Sequence, residues 1–142
     1  MASTDVSRGI TDVIDPLSEA ECRRLLANHT LGRVGITSGG LPLILPVHYL
    51  YDDGVIVFRT GAGTKLRAAA SGDVLAFEVD AYDTESGRGW SVMVLGRATV
   101  VTTEHEYDGL PTLDPVTDGE RNHYVRLFCE LVTGRVIEGA SR

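Results

Sequence analysis

Residues 41–67 read LPLILPVHYLYDDGVIVFRTGAGTKLR, and the fold turns on how this stretch divides. An apolar strand over 42–51 carries proline at 42 and again at 46. Proline has no N–H to give to a ladder, so this strand has an edge-like or irregular side whose backbone groups face something other than a neighbour. Asp52-Asp53-Gly54 turns the chain, and 55–60 returns antiparallel. A glycine-threonine loop follows, ending in basic residues. A helix of about two turns over 64–71 then leads to Gly72, which suits its C-terminal end.

Upstream, Ser18 and Glu21 have the spacing of a capping box, in which each side chain satisfies an open N–H at a helix start. Cys22, Leu25 and Leu26 give that helix an apolar face ending near 28–31. A strand over 32–37 and a Ser38-Gly39-Gly40 turn connect it to the opening stretch. Downstream, 73–81 reads as a strand, 82–89 as a polar mobile loop, and 90–102 as the longest β-like run. Gly96 inside that run marks a bulge or a close approach. Residues 103–120 break into acids, prolines and glycines, with a short helix over 104–109. The segment 123–128 alternates Tyr124, Arg126 and Phe128 against Val125 and Leu127, the period of a strand, and 132–137 adds a last short one. The chain lacks the strand–helix–strand alternation of a parallel sheet. The expected class is therefore mainly β (α+β): a six-stranded antiparallel β-barrel with two or three short helices. Residues 1–12 form a flexible N-terminal tail and 13–142 a single domain.

A net charge of −7 across 142 residues argues against a nucleic-acid-binding protein, where Lys and Arg dominate affinity. No apolar run approaches the roughly 20 residues that span a bilayer, and the N-terminus lacks the apolar core of a secretory signal. Those features place the protein in the cytoplasm with a small-molecule partner. Cys22 and Cys129 are isolated and read as reduced thiols. No Cys/His cluster or histidine spacing suggests a metal site, and no triad order or nucleophile elbow suggests hydrolysis.

Against that acidic background, residues 55–71 contain no acid, while Arg59, Lys65 and Arg67 fall within nine residues. A phosphate needs positive charge and several convergent donors. Arg59-Thr60-Gly61-Ala62-Gly63-Thr64-Lys65 offers two cations, two hydroxyls, glycines that let amides approach, and a helix start. It is neither a Walker loop nor a dinucleotide fingerprint. A solvated turn with incidental basic residues is the competing reading, and local chemistry leaves both open. Trp90 is either a packing residue or a cover for an aromatic ring system. His48 is either a structural histidine or a group facing a ring or substrate. No residue stands out as a catalytic proton donor.

The order and spacing of LSEAECRRLLANHTLGRVGI, PVHYLYDDGVIVFRTGAGTKLRAA, GWSVMVLGRATVV and GERNHYVRLFCELVTGRVI resemble the pyridoxamine 5'-phosphate oxidase-like, FMN-binding split β-barrel proteins, particularly the short actinobacterial type. The likeness covers roughly residues 13–137. It implies a split barrel and a homodimer with two cofactor sites in clefts at the subunit interface. By resemblance, the FMN phosphate lies against Arg59, Thr60, Lys65 and Leu66, and the isoalloxazine ring lies along Leu45, Pro46, Val47 and His48. Trp90 and Ser91 approach from the partner or close the site. The implied activity is a flavin-dependent oxidoreductase acting on an unidentified small molecule. Some relatives use 8-hydroxy-5-deazaflavin and a few bind haem, so a non-catalytic flavin, deazaflavin or haem carrier or sensor is the alternative. The chain lacks the arginine and histidine set that binds pyridoxamine phosphate as substrate, and it is shorter than the authentic oxidases.

Overall fold

The computed structural model describes residues 15–60, 72–102, 107, 110 and 123–139. The tail at 1–12, the helix expected over 64–71 and all but residue 107 of that expected over 104–109 lie outside the described residues.

The helix α1 (Glu19–Ala27) begins where the capping spacing places it, with the Ser18 hydroxyl accepting from the Glu21 amide at 3.1 Å. Cys22 and Leu26 are its buried residues. Its terminal carbonyls are satisfied in turn. The Asn28 amide reaches the carbonyls of Arg24 and Leu25, His29 Nδ1 donates to Leu25 at 2.9 Å, and the Tyr49 hydroxyl donates to Leu26 at 2.6 Å.

Among the described residues eight strands follow: β1 (Leu31–Ser38), β2 (Leu41–His48), β3 (Leu50–Asp52), β4 (Val55–Arg59), β5 (Val74–Asp83), β6 (Arg88–Thr102), β7 (His123–Phe128) and β8 (Leu131–Glu138). Every pairing between them is antiparallel. The order across the sheet is β2-β1-β5-β6-β7-β4-β3, with β8 added on β6. The two ends of that path are joined through Tyr49 alone. The sheet therefore closes on itself as a ring of six members, with β2 and β3 as one broken strand. The single strand expected over 42–51 is corrected accordingly. Its first part pairs β1 and its last part pairs β4, because the chain changes partners at Tyr49.

A second irregularity bends the wall. Leu127 opposes Ala98 while Leu131 opposes Leu95, so three residues on one strand face two on the other. That is a β-bulge, and it inverts which side faces inward: Val125 and Leu127 are buried in β7, whereas Gly134 is buried in β8. Gly96 sits opposite the bulge, where a Cβ would overlap the Phe128 carbonyl oxygen. The expected polar loop over 82–89 is also corrected. The β5–β6 ladder runs on to Asp83–Arg88, leaving only 84–87 as the turn, with Gly87 at φ 72°. The interior is filled by Val34, Tyr49, Ile56, Phe58, Phe77, Val79, Val92, Val94 and Leu127. A smaller cluster of Val57, Leu110 and Tyr124 covers the outer side of β4 and β7. No helix among the described residues is long and apolar enough to cross a membrane.

Candidate functional site

The change of partner at Tyr49 interrupts the ladder and leaves a split in the pairing between β2 and β4. Beyond it, β3 pairs β4 in a ladder whose last rung is Leu50–Val57. One step further along the same register would set Tyr49 opposite Phe58, then His48 opposite Arg59 and Val47 opposite Thr60. Those rungs are not formed. Among the described residues β2 has a ladder only with β1, although β2 and β4 remain in contact. The expected ring-binding tract (Leu45, Pro46, Val47, His48) and the expected phosphate residues Arg59 and Thr60 thus lie on the two lips of one split.

The β2 lip is chemically distinctive. The Tyr49 amide bonds to the Thr30 carbonyl at 2.8 Å, which fixes the alternation: odd-numbered amides of β2 turn toward β1, and the even positions 42, 44, 46 and 48 turn toward the split. Two of those four are proline. The lip therefore offers four carbonyls but only the amides of Ile44 and His48. Open strand edges invite another strand, and proline blunts this one. A flat ring with alternating carbonyl and N–H groups along one side suits such an edge.

Side chains sort by the same alternation. Leu45 and Val47 turn inward, and Val47 is buried. Pro46 and His48 lie on the outer side with their rung partners Arg33 and Leu31. On the opposite lip Thr60 is buried and its amide donates to the His123 carbonyl at 3.0 Å. Arg59 is on the outer side, paired with Tyr124, its guanidinium carbon 6.0 Å from the tyrosine ring centroid. Lys65 and Leu66 lie outside the described residues.

Trp90 and Ser91 are placed elsewhere. They sit on β6, separated from β2 by β1 and β5 and from β4 by β7. Trp90 is partly buried against the core, edge-on to His29 with ring centroids 4.8 Å apart. Strand pairing within one chain does not bring them to the split.

Two other features were not singled out from the sequence. Arg126 and Phe128 lie on the outer side of β7, and the guanidinium carbon of Arg126 is 5.6 Å from the Phe128 ring centroid. The signal was the alternation itself, which interleaves an arginine between two aromatics on one face. On the outer side of β1 and β5, Arg33 reaches Glu78 at 2.9 Å and Asp80 at 3.3 Å. Burial, reinforced by Asp80, pushes the Glu78 carboxyl up to about 7 against the opposing pull of Arg33. Burial likewise pushes the Cys129 thiol up to about 11, which marks it as an unreactive thiol. Among the described residues no group of three or more His, Cys, Asp and Glu could hold a metal.

Comparison with known proteins agrees with this architecture. Residues 18–136 match the family model described as pyridoxamine 5'-phosphate oxidase. An uncharacterised protein of Mycobacterium tuberculosis, Rv0080, is 37% identical over 134 residues, covering 89% of this chain and 87% of its own. The structure of an FAD-binding protein from Mycobacterium smegmatis superposes with a TM-score of 0.71 at 33% identity, over 88% of this chain and 99% of that one. An FAD-binding protein from Mesorhizobium loti, 22% identical with a TM-score of 0.63 over 87% and 96% of the two chains, shares the fold. The chain belongs to the pyridoxamine 5'-phosphate oxidase-like family of split β-barrel proteins.

Proposed function

We propose that this protein is a flavin-nucleotide-dependent oxidoreductase acting on a small molecule, with the flavin held in the split between β2 and β4. The observation that carries the reading is the opposition of two unlike lips. One is a proline-blunted edge rich in carbonyls; the other is the Arg59–Thr60 strand end, where the basic loop begins. The ring lies along Leu45, Pro46, Val47 and His48, its N–H facing the free carbonyls and its carbonyls facing the Ile44 and His48 amides. The phosphate rests at Arg59 and Thr60, with Lys65 and Leu66 assigned there by family resemblance alone. The bound flavin would supply the electron- and hydride-transfer centre, while the chain binds, orients and shields it. The FAD-binding relative from M. smegmatis supports a flavin in this site; FMN is the mononucleotide expected from the resemblance, and 8-hydroxy-5-deazaflavin has the same flat polar edge.

A homodimer completes the reading. Leu31, Ile44 and Val74 are exposed on the outer side of β2, β1 and β5. They flank a groove of about 350 Å³ lined by Arg33, Gly35, Ala76, Glu78 and Met93. A second copy seated on this face would cover the exposed Leu31, Ile44 and Val74 and, as the family resemblance implies, bring its own Trp90 and Ser91 toward the split, which one chain alone does not do.

Titration of the purified protein with FMN, FAD, reduced 8-hydroxy-5-deazaflavin and haem, followed by visible absorption, tests the proposal. A saturable flavin-type spectrum with turnover of an electron acceptor supports it. Flavin uptake without turnover across donors and acceptors assigns a carrier role, and uptake of haem alone overturns the flavin reading.

A further inference from the structure

We infer that the groove on the outer side of β1, β5 and β6 is the substrate pocket beside the flavin split, and that it takes a small organic cation with an apolar body. Naming that cation as the substrate deepens the flavin reading above and rests on it; the preference of the groove for a cation does not.

The strand register builds the groove. On one rung Ile44, Gly35 and Ala76 lie side by side across β2, β1 and β5. On the next, Pro46, Arg33, Glu78 and Met93 do so across β2, β1, β5 and β6. Glycine and alanine at the centre of the first rung leave the sheet surface low between Ile44 and Met93. The result is a groove of about 350 Å³, within the roughly 300–1,000 Å³ usual for small-molecule sites. Its apolar lining gives way to Arg33, Glu78 and Asp80 standing together. An apolar trough with a few convergent polar groups is the common form of a pocket that holds and orients a small organic molecule.

Charge selects the class of occupant. Arg33 reaches Glu78 at 2.9 Å and Asp80 at 3.3 Å, one cation against two carboxyl groups. The neighbouring rung partners, Pro46 on β2 and Met93 and Ser91 on β6, carry no charge. His48, paired with Leu31, and Arg135, paired with Ser91, each stand a strand further from β5. Burial and Asp80 keep a proton on Glu78 up to about 7, and once it leaves, the cluster holds one negative charge in excess. An ammonium or amidinium group brings back the positive charge and the N–H donors that the two carboxylates then lack. An anionic head would meet both carboxyl groups, and a neutral one would gain the apolar contact alone.

Ile44 belongs to both sites. Its side chain lines the groove, while its amide is one of the two that the β2 lip turns toward the split. A molecule in the groove is thereby set beside the strand edge along which the ring is proposed to lie.

The test uses probes that share one body and differ in the head: phenethylamine, 2-phenylethanol and phenylacetate, each titrated into the full chain. Met93, which lines the groove, is one of two methionines, so its labelled methyl signal, assigned with Met93→Leu, reports occupancy by NMR. The amine should move that signal at roughly three- to tenfold lower concentration than the alcohol, the scale of a half-exposed charge-assisted contact. Phenylacetate should leave it in place. Amine affinity should rise by up to about tenfold from about pH 6 to about pH 8 as Glu78 ionises, and Glu78→Gln should remove that rise. Arg33→Gln should tighten the amine, a change that damage to the fold would not produce, with thermal unfolding confirming that both variants are folded. With FMN bound, the amine should also perturb the flavin absorption bands. Equal response to amine and alcohol overturns the proposal, as does a Met93 signal that no probe moves because a second copy fills the groove. A Met93 shift that leaves the spectrum of bound FMN untouched overturns the substrate assignment. A Met93 shift in a protein that takes up no flavin sinks the flavin reading and leaves the cation site standing.

Discussion

The hydroxyl of Tyr49 donates to the carbonyl of Leu26 at 2.6 Å, tying the last turn of the helix to the residue at which the barrel wall changes partners. Tyr49 is 1% exposed, and its ring packs edge-on against Phe77 with centroids 4.8 Å apart. Burial raises its hydroxyl's pKa well above the ordinary phenol value, so the proton stays on as donor. Tyr49→Phe keeps the ring and leaves the Leu26 carbonyl unsatisfied, a loss of about 1–2 kcal/mol. The expected result is a drop of several degrees in the thermal midpoint, with weaker flavin binding because the lips are set from this junction. A variant that matches the parent in both measurements would show that the hydrogen bond does not position the split.

Gly96 gives a prediction of opposite sign to the usual one. In an ordinary strand, Gly→Ala stabilises modestly by restricting the unfolded chain. Here the added methyl would overlap the Phe128 carbonyl across the bulge, and backbone cannot rotate aside as a side chain can. Gly96→Ala should therefore destabilise by about 2–3 kcal/mol or prevent soluble expression. Urea denaturation of the variant decides the sign.

Glu78 makes stability depend on pH near neutrality. Its carboxyl is pushed from an ordinary 4.5 up to about 7, by burial first and by Asp80 second. Arg33 on β1 is the opposing cation, and Met93 on β6 faces it without charge. With the folded value above the unfolded one, the folded state holds its proton longer. The favourable contribution is complete below about 4.5, declines as pH rises through the interval, and is gone above about 7. Glu78→Gln cannot titrate, so its denaturation midpoint should lose that component of slope between pH 5 and pH 8, both values being roughly the limits of the window. An unchanged slope would place the pH dependence in other groups.

Local features were legible in the sequence because their physics is local. The Ser18 cap, the Asp53–Gly54 turn at φ 45° and 87°, and the alternation of β7 each depend on neighbours within a few residues. The strand 42–51 was read as continuous because its apolar run is continuous; the switch at Tyr49 depends on Thr30 and Leu26, about twenty residues away. The segment 82–89 looked like a loop because it is polar, yet Arg88 lies opposite Asp83 on one side and Glu138 on the other. Pairing between distant strands, invisible to composition, made it a hairpin. The proline pattern of β2 did announce a free edge. Arg126 was read only as part of the strand alternation for the converse reason: a single arginine in a strand is ordinary until the missing acceptor around its Nε is seen.

The phosphate contact at Arg59 can be separated from general damage to the site by using two ligands that differ only in the phosphate. Riboflavin carries the same ring as FMN and no charge at that end. If Arg59 grips the phosphate, FMN should bind more tightly than riboflavin by about 1.5–3 kcal/mol, the range of a charge-assisted hydrogen bond. Arg59→Ala should remove most of that difference, because it deletes a partner that only FMN possesses. A variant that merely disturbs the fold would weaken both ligands together and leave the difference standing. The position favours the first outcome, since Arg59 lies on the outer side opposite Tyr124 and away from the interior filled by Ile56 and Phe58. Raising the salt concentration should narrow the FMN–riboflavin gap in the parent protein and have little effect on it in the variant. A gap that survives Arg59→Ala undiminished would move the phosphate to another part of the basic tract.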